Sequence, residues 1–110
     1  MNVARASGAY LGTSDFAATV LGILAGSSHR PSLVVTLPDR KQGRGRKVSP
    51  SPVAIKAEEL GIEVFKCGDV NQPEAREKIL AAGAEWASIC AFGQLIKEPL
   101  LTDLPMLNVH

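Results

Sequence analysis

Short apolar segments alternate along this chain with segments that carry helix-capping signals, and this alternation limits the fold more than any other feature. Residues 33–37 and 62–66 are short apolar runs, and the β-branched residues of the first are typical of a buried strand. Residues 51–60 lie between them, opened by a serine and a proline and followed by a glycine. This combination of N-cap, first-turn proline and C-terminal glycine predicts a helix.

The same alternation continues in the second half of the chain. Residues 73–82 open with a proline and precede a glycine, so they predict another helix. Residues 86–92 (WASICAF) form a nearly continuous apolar run, as expected of a strand covered on both faces. Residues 106–110 begin a further strand. The predicted fold class is therefore α/β, with a mostly parallel sheet that carries helices on both faces, and we expect it to be incomplete at the C-terminus.

The first predicted unit fits this scheme less well. A strand is expected before Gly12 and a helix over residues 15–24. Residues 3–11, however, are mostly Ala, Ser and Gly, which are weak strand formers. Either the first strand is divergent or the start of the chain was placed in error.

Composition limits the class of protein. A chain of 110 residues with 45% apolar content suits one domain or part of one. No apolar run approaches the roughly 20 residues that a membrane helix needs, and no signal peptide is predicted. Cys67 and Cys90 stand alone without metal or redox spacing, so we expect them to be reduced core residues, which favours the cytoplasm.

Positive charge is concentrated in residues 38–53 (PDRKQGRGRKVSPSPV). Five of the chain's twelve Lys and Arg residues fall between positions 40 and 47, while the net charge is only +1. Glycines alternate with arginines there, and guanidinium groups bind phosphate through two oxygens at once. This pattern predicts contact with nucleic acid, RNA or DNA. The alternative is a solvated surface loop.

Two further segments suggest chemistry at the ends of strands. Asn108 and His110 are two apart on a predicted strand and are therefore expected to share a face. The amide can donate to a developing oxyanion and the imidazole can move a proton; the alternative is a pair of solvated side chains. In residues 91–96 (AFGQLI), a strand is expected to end at Phe92 and Gly93 to turn the chain, leaving backbone groups for a flat heterocycle. The alternative is an ordinary turn between a strand and a helix.

Taken together, these motifs resemble those of the methionyl-tRNA formyltransferases. The resemblance rests on residues 12–17 (GTSDFA), 38–53, 91–96 and 107–110 (LNVH), in the order and spacing of that family. LNVH and AFG are shared with the wider group of folate-dependent formyltransferases, whereas the basic segment is specific. In two respects the chain differs: Ser14 stands where proline is common, and residues 3–11 are less apolar than the family's first strand.

The resemblance implies a fold and a reaction. The family has a Rossmann-like N-terminal domain followed by a β-barrel domain that also binds tRNA. Residues 1–110 would be a partial N-terminal formyltransferase domain, with the rest of that domain and the barrel absent. The reaction moves a formyl group from 10-formyltetrahydrofolate to the amino group of methionyl initiator tRNA in translation initiation, without a metal. We expect a cytoplasmic monomer with no membrane contact, and no activity from these 110 residues alone, because the family's folate segment and a catalytic aspartate follow the histidine.

The resemblance also assigns residues to roles. Asn108 would stabilise the oxyanion and His110 would help to move the proton of the attacking amine. Five consecutive residues would present backbone groups to the pterin of the folate: Phe92, Gly93, Gln94, Leu95 and Ile96. Five basic residues would contact the acceptor end of the tRNA: Arg40, Lys41, Arg44, Arg46 and Lys47.

Two other functions remain open at this point. A folate-dependent formyltransferase that acts on a purine ribonucleotide or an amino sugar would keep LNVH and AFG but would have no need for the basic segment. A non-catalytic RNA-binding α/β module would bind RNA in a salt-sensitive way and would have no affinity for folate.

Overall fold

The computed structural model describes residues 7–42, 47–94, 96–98 and 100–109. Side chains at positions 42, 101 and 102 are outside the description. The elements in chain order are β1 (Ser7–Gly12), α1 (Asp15–Ala25), β2 (Leu33–Thr36), β3 (Arg40–Gln42), β4 (Lys47–Ser49), α2 (Pro52–Leu60), β5 (Glu63–Lys66), α3 (Pro73–Ala81), β6 (Ala84–Cys90), α4 (Leu100–Asp103) and β7 (Met106–Val109).

Five of these strands form one parallel sheet in the order β5-β2-β1-β6-β7. The remaining two, β3 and β4, form a separate antiparallel hairpin. The predicted Rossmann-like α/β class is confirmed. Because the strands are parallel, their carboxyl ends meet at one edge, where ligands bind in open sheets of this type.

Helices cover both faces of the sheet, as predicted. Along β1, Ala9 and Leu11 pack on the face that carries α3, while Tyr10 points to the face that carries α1 and α2. Successive side chains of a strand alternate between faces, and both sets are fully buried here. The central strand is thus enclosed between two layers of helix.

The predicted capping signals are confirmed. The Ser51 hydroxyl accepts a hydrogen bond from the Ala54 amide at 3.1 Å, and Gly61 ends α2 in the left-handed conformation with φ 73°. Ser14, where the related family commonly has proline, is the N-cap of α1 and accepts from the Ala17 amide. The remaining ends of α1, α2 and α3 fall within one residue of the predicted ones, and α4 was not predicted.

The weak-looking first segment is the central strand of the sheet. At Gly8, an added Cβ would lie 2.0 Å from ring atoms of Trp86, so the indole occupies the space that a larger residue would need. Tyr10 is fully buried, and its hydroxyl donates to the Ala17 carbonyl at 2.7 Å. Packing across the sheet therefore accounts for the glycine at position 8, and residues 7–12 form a strand despite their weak local preference. Residues 3–6 of the predicted strand lie outside the described residues.

Several predicted boundaries were wrong. Strand β6 begins at Ala84 and ends at Cys90, two residues before the predicted end, because Ala91 takes φ 47° and leaves the extended conformation. The basic segment was predicted as a loop, but its described parts pair as the β3–β4 hairpin. Cys67 and Cys90 are free and buried, as predicted. None of the helices in the described ranges has both the length and the apolar character to cross a bilayer.

Candidate functional site

Two clefts lie at the carboxyl edge of the sheet, and they share a wall. The first, which we call the hairpin cleft, has a volume of about 410 Å³ and is lined by residues that include Thr13, Arg40 and Ser51. The second, the amide cleft, has a volume of about 380 Å³ and is lined by residues that include Asn108. Ala91 and Phe92 line both clefts. One turn of the chain therefore separates a cleft lined in part by an arginine from a cleft lined in part by an asparagine.

Asn108 reaches its cleft from β7, where it pairs in register with Ile89 of β6. Its side chain is exposed, and it shares a face of the strand with Met106, which packs on the core cluster around α3. The position leaves the amide available to a ligand in the amide cleft. His110 lies outside the described residues, so its placement on the same face remains a prediction.

The turn between the clefts has an unusual backbone. Ala91 has φ 47° and Gly93 has φ 90°. A left-handed conformation costs a residue with a Cβ about 1–2 kcal/mol, and it persists only where surrounding contacts hold it. One such contact is the Thr13 hydroxyl, which donates to the Phe92 carbonyl at 2.8 Å. The Phe92 side chain is buried, with 2% of its surface exposed.

Gln94 holds the far side of this turn. Its side-chain oxygen accepts from the Val70 amide at 2.6 Å, and its side-chain nitrogen donates to the Cys67 carbonyl at 3.0 Å. These two bonds fasten the chain after β6 to the loop after β5. Burial raises the pKa of the adjacent Cys67 thiol, which makes it a neutral core group. Sequence reasoning assigned Gln94 a backbone role and missed its side chain, since nothing local indicates that a distant loop lies within reach.

Replacing Gln94 by Ala is expected to lower the free energy of unfolding by about 1–3 kcal/mol, because two part-buried backbone groups lose their partner. Urea denaturation followed by circular dichroism measures this difference. Gln72→Ala is the matched control, since the Gln72 amide donates only to the exposed Asp69 carboxylate. Equal losses for the two variants would contradict the fastening role.

The other predicted folate residues divide into two groups. Phe92 and Gly93 lie at the carboxyl edge and line the hairpin cleft. Ile96 is a core residue with 9% exposure, packed in the cluster that contains α3. Leu95 lies outside the described residues.

Three of the predicted tRNA-binding residues, Arg40, Lys41 and Lys47, lie on the β3–β4 hairpin. Arg40 pairs with Ser49, and Lys41 pairs with Val48. Arg40, Lys41 and Lys47 are exposed, and Arg40 also lines the hairpin cleft. Arg44 and Arg46 lie outside the described residues. The basic hairpin is therefore rooted beside the cleft whose far wall is the turn at residues 91–93.

Lys66 also lies in this region, and the sequence predicted no role for it. Its ammonium group contacts the Asp39 carboxylate at 2.7 Å, immediately before the hairpin. This ion pair compensates the negative charge of Asp39 at the base of the hairpin. Among the residues that the structure describes, no group of three or more His, Cys, Asp or Glu side chains is arranged to hold a metal ion.

Similarity to curated proteins identifies the family. The chain is 41% identical over 103 residues to the methionyl-tRNA formyltransferase of Methylococcus capsulatus. The aligned region covers 92% of the chain and 33% of that relative. It is 41% identical over 104 residues to the enzyme of the same name from Macrococcus caseolyticus. It is 39% identical over 104 residues to that of Nocardioides sp.. Each of these alignments also covers 92% of the chain and 33% of the relative. The chain belongs to the methionyl-tRNA formyltransferase family. No protein-family model matches the sequence.

Membership of the methionyl-tRNA formyltransferase family confirms the resemblance seen in the motifs. The chain spans about a third of the length of the curated relatives it matches. The activity, substrates and partners of the whole protein therefore belong to the proposal that follows.

Proposed function

We propose that the protein carrying this chain transfers a formyl group from 10-formyltetrahydrofolate to the amino group of methionyl initiator tRNA, in the cytoplasm, as a step of translation initiation. One observation carries the proposal. Ala91 and Phe92 form a common wall between the cleft lined by Asn108 and the cleft lined by Arg40. A formyl donor in one cleft and an RNA end in the other would meet at the edge of this common wall.

Asn108 is the group we assign to the transition state. The methionyl amine attacks the formyl carbon, a new C–N bond forms, and the carbonyl oxygen gains negative charge. A primary amide beside that oxygen stabilises the charge by donating a hydrogen bond. When the intermediate collapses, the bond between the formyl carbon and N10 breaks and tetrahydrofolate leaves. We assign His110 to move the proton from the attacking amine towards the leaving nitrogen.

The pterin of the folate would lie against the chain that follows β6. We assign its hydrogen bonds to backbone groups within residues 92–96, next to the amide cleft. Ala91 and Gly93 depart from extended geometry, which turns backbone groups away from the sheet ladder, where a flat ring can pair with them. The Gln94 side chain serves this site indirectly, by fastening the turn to the loop after β5.

The basic hairpin would hold the acceptor end of the tRNA. Arg40, Lys41 and Lys47 are exposed on it, and Arg44 and Arg46 come between its two strands in the sequence. Such contacts neutralise phosphate charge, so binding should weaken as salt rises. We assign residues 1–110 to a partial N-terminal formyltransferase domain that acts as a monomer and is inactive without the rest of the protein.

Replacing Arg40, Arg44 and Arg46 together by Ala in the full-length protein is expected to reduce kcat/KM for methionyl-tRNA at least about 100-fold. Each lost charge-assisted hydrogen bond to phosphate is worth about 1.5–3 kcal/mol. The dissociation constant for tetrahydrofolate should not change. Lys78→Ala is the control, since Lys78 lies on α3 and its exposed ion pair with Glu63 contributes little.

Two results would select another function. If the triple variant kept its kinetics and a small amine accepted the formyl group, the protein would be a formyltransferase of another substrate. If the unaltered protein bound RNA in a salt-sensitive way but did not bind tetrahydrofolate, it would be a non-catalytic RNA-binding module.

A further inference from the structure

Three hydroxyl groups are in contact at the hairpin cleft, which Thr13 and Ser51 line. The Thr13 hydroxyl donates to the Phe92 carbonyl at 2.8 Å, and the Thr36 and Thr13 oxygens are 3.5 Å apart. The Thr36 and Ser51 oxygens are 2.7 Å apart. Ser51 in turn accepts from the Ala54 amide at the start of α2. These contacts therefore join the first turn of α2 to the turn between the two clefts.

The three hydroxyl groups are linked by contacts of different length. A hydroxyl group has one hydrogen to donate, and that of Thr13 goes to the Phe92 carbonyl. The 2.7 Å contact between Thr36 and Ser51 can take its hydrogen from either oxygen, and the 3.5 Å contact between Thr36 and Thr13 is the weakest of the three. Hydrogen bonds arranged in such a chain polarise and strengthen one another.

Burial makes the chain sensitive to the loss of one member. Thr36 is fully buried and Ser51 is 3% exposed. A buried hydroxyl left without a partner is costly, so removal of the Thr36 hydroxyl affects both of its neighbours. The 3.5 Å contact between Thr36 and Thr13 is the longest link and the one that a shift of β2 would break first.

The two ends of the chain lie at the two sites of the proposed reaction. Ser51 comes two residues after β4, which ends the basic hairpin at Ser49. Phe92 belongs to the strained turn that walls the amide cleft. The chain thus fixes a carbonyl of the turn relative to the base of the hairpin.

We propose that Thr13, Thr36 and Ser51 are positioning residues, whose linked hydroxyl groups hold the Phe92 carbonyl and the strained turn in register with the basic hairpin. The formyl donor on the turn is thereby held in place relative to the RNA end on the hairpin. This inference rests on the function proposed above for the two ligands.

The test compares Thr13→Val, Thr13→Ser and Thr36→Val in the full-length protein. Valine keeps the shape of threonine and removes the hydroxyl. We expect Thr13→Val and Thr36→Val each to raise the dissociation constant for tetrahydrofolate about tenfold, at a temperature where circular dichroism shows both to be folded. Thr13→Ser, which retains the hydroxyl, should restore binding to within about twofold. Thr36 is fully buried and is not among the residues that line either cleft, so its substitution affects the ligand through its neighbours.

Thr19→Val is the matched control, since the Thr19 hydroxyl donates to the Asp15 carbonyl on the exposed side of α1 and should leave binding unchanged. If the wild type binds tetrahydrofolate and Thr13→Val has the same dissociation constant, the inference is overturned and the proposed function stays intact. No binding of tetrahydrofolate by the wild type overturns the proposed function and this inference with it. If Thr36→Val does not fold, the comparison of Thr13→Val with Thr13→Ser decides the question alone.

Discussion

Replacing Asn108 by Ala in the full-length protein is expected to lower kcat for formyl transfer about 10²–10³-fold, with little change in the KM for methionyl-tRNA. Loss of one oxyanion donor has an effect of this size in other acyl transfers, because the bond is strong only when charge develops on the oxygen. Asn108 is exposed, lines the cleft beside the turn at residues 91–93, and belongs to neither core cluster of the described residues. The substitution should therefore affect catalysis and leave folding unchanged.

Single-turnover rates at saturating 10-formyltetrahydrofolate measure this effect free of product release. Leu107→Ala is the control, because Leu107 is the adjacent exposed residue of β7 and its side chain projects to the opposite face. If Asn108→Ala had an unchanged single-turnover rate, the amide would not be the oxyanion donor, and another group would have to supply that hydrogen bond.

Replacing Gly8 by Ala is expected to lower the free energy of unfolding by about 3 kcal/mol, at the upper end of the usual cost of overpacking. The new methyl group would lie 2.0 Å from ring atoms of Trp86, well inside van der Waals contact. Neither partner can retreat easily, since Gly8 is in the central strand and pairs with Trp86 in the neighbouring strand. Either β1 shifts or the indole leaves its place.

Urea denaturation followed by circular dichroism provides the measurement. Gly26→Ala is the control, because a Cβ there would have its nearest neighbour at 3.7 Å and φ is −85°. The Gly8→Ala substitution should cost much less in a Trp86→Ala background, where the space is free. Equal costs in the two backgrounds would show that the strain has another source.

Local chemistry explains which parts of the fold could be predicted. A serine accepts from an amide three residues later, and Gly61 adopts a left-handed conformation that other residues avoid. These interactions depend only on neighbours in sequence. Helices α1, α2 and α3 were predicted for that reason, whereas α4 was not predicted. The buried strands β2 and β6 were predicted from their apolar runs, although the ends of β6 were wrong.

Long-range packing explains what could not be predicted. Residues 7–12 are poor strand formers in isolation, yet they form the central strand. Trp86 fills the space beside Gly8, and Tyr10 is buried in the core cluster that includes residues of α1 and α2. The early end of β6 at Cys90 coincides with contacts of the following turn to residues that are distant in sequence. The Phe92 carbonyl accepts from Thr13, and the Gln94 side chain bonds to Val70 and Cys67. Preference scales cannot weigh such contacts, since they describe each residue without its partners.

The candidate site divides in the same way. Its residue types, an amide on the last strand and a run of cations after β2, were visible in the sequence because an amide donates and a guanidinium binds phosphate wherever they occur. Their meeting at one edge depends on the parallel order of five strands, and that order arises from burial of both faces of the sheet. Only the tertiary structure could show that Phe92 stands between the two clefts and that three hydroxyl groups connect its carbonyl to the base of the hairpin, since a hydrogen bond requires atoms within about 3.5 Å and distance along the chain does not determine distance in space.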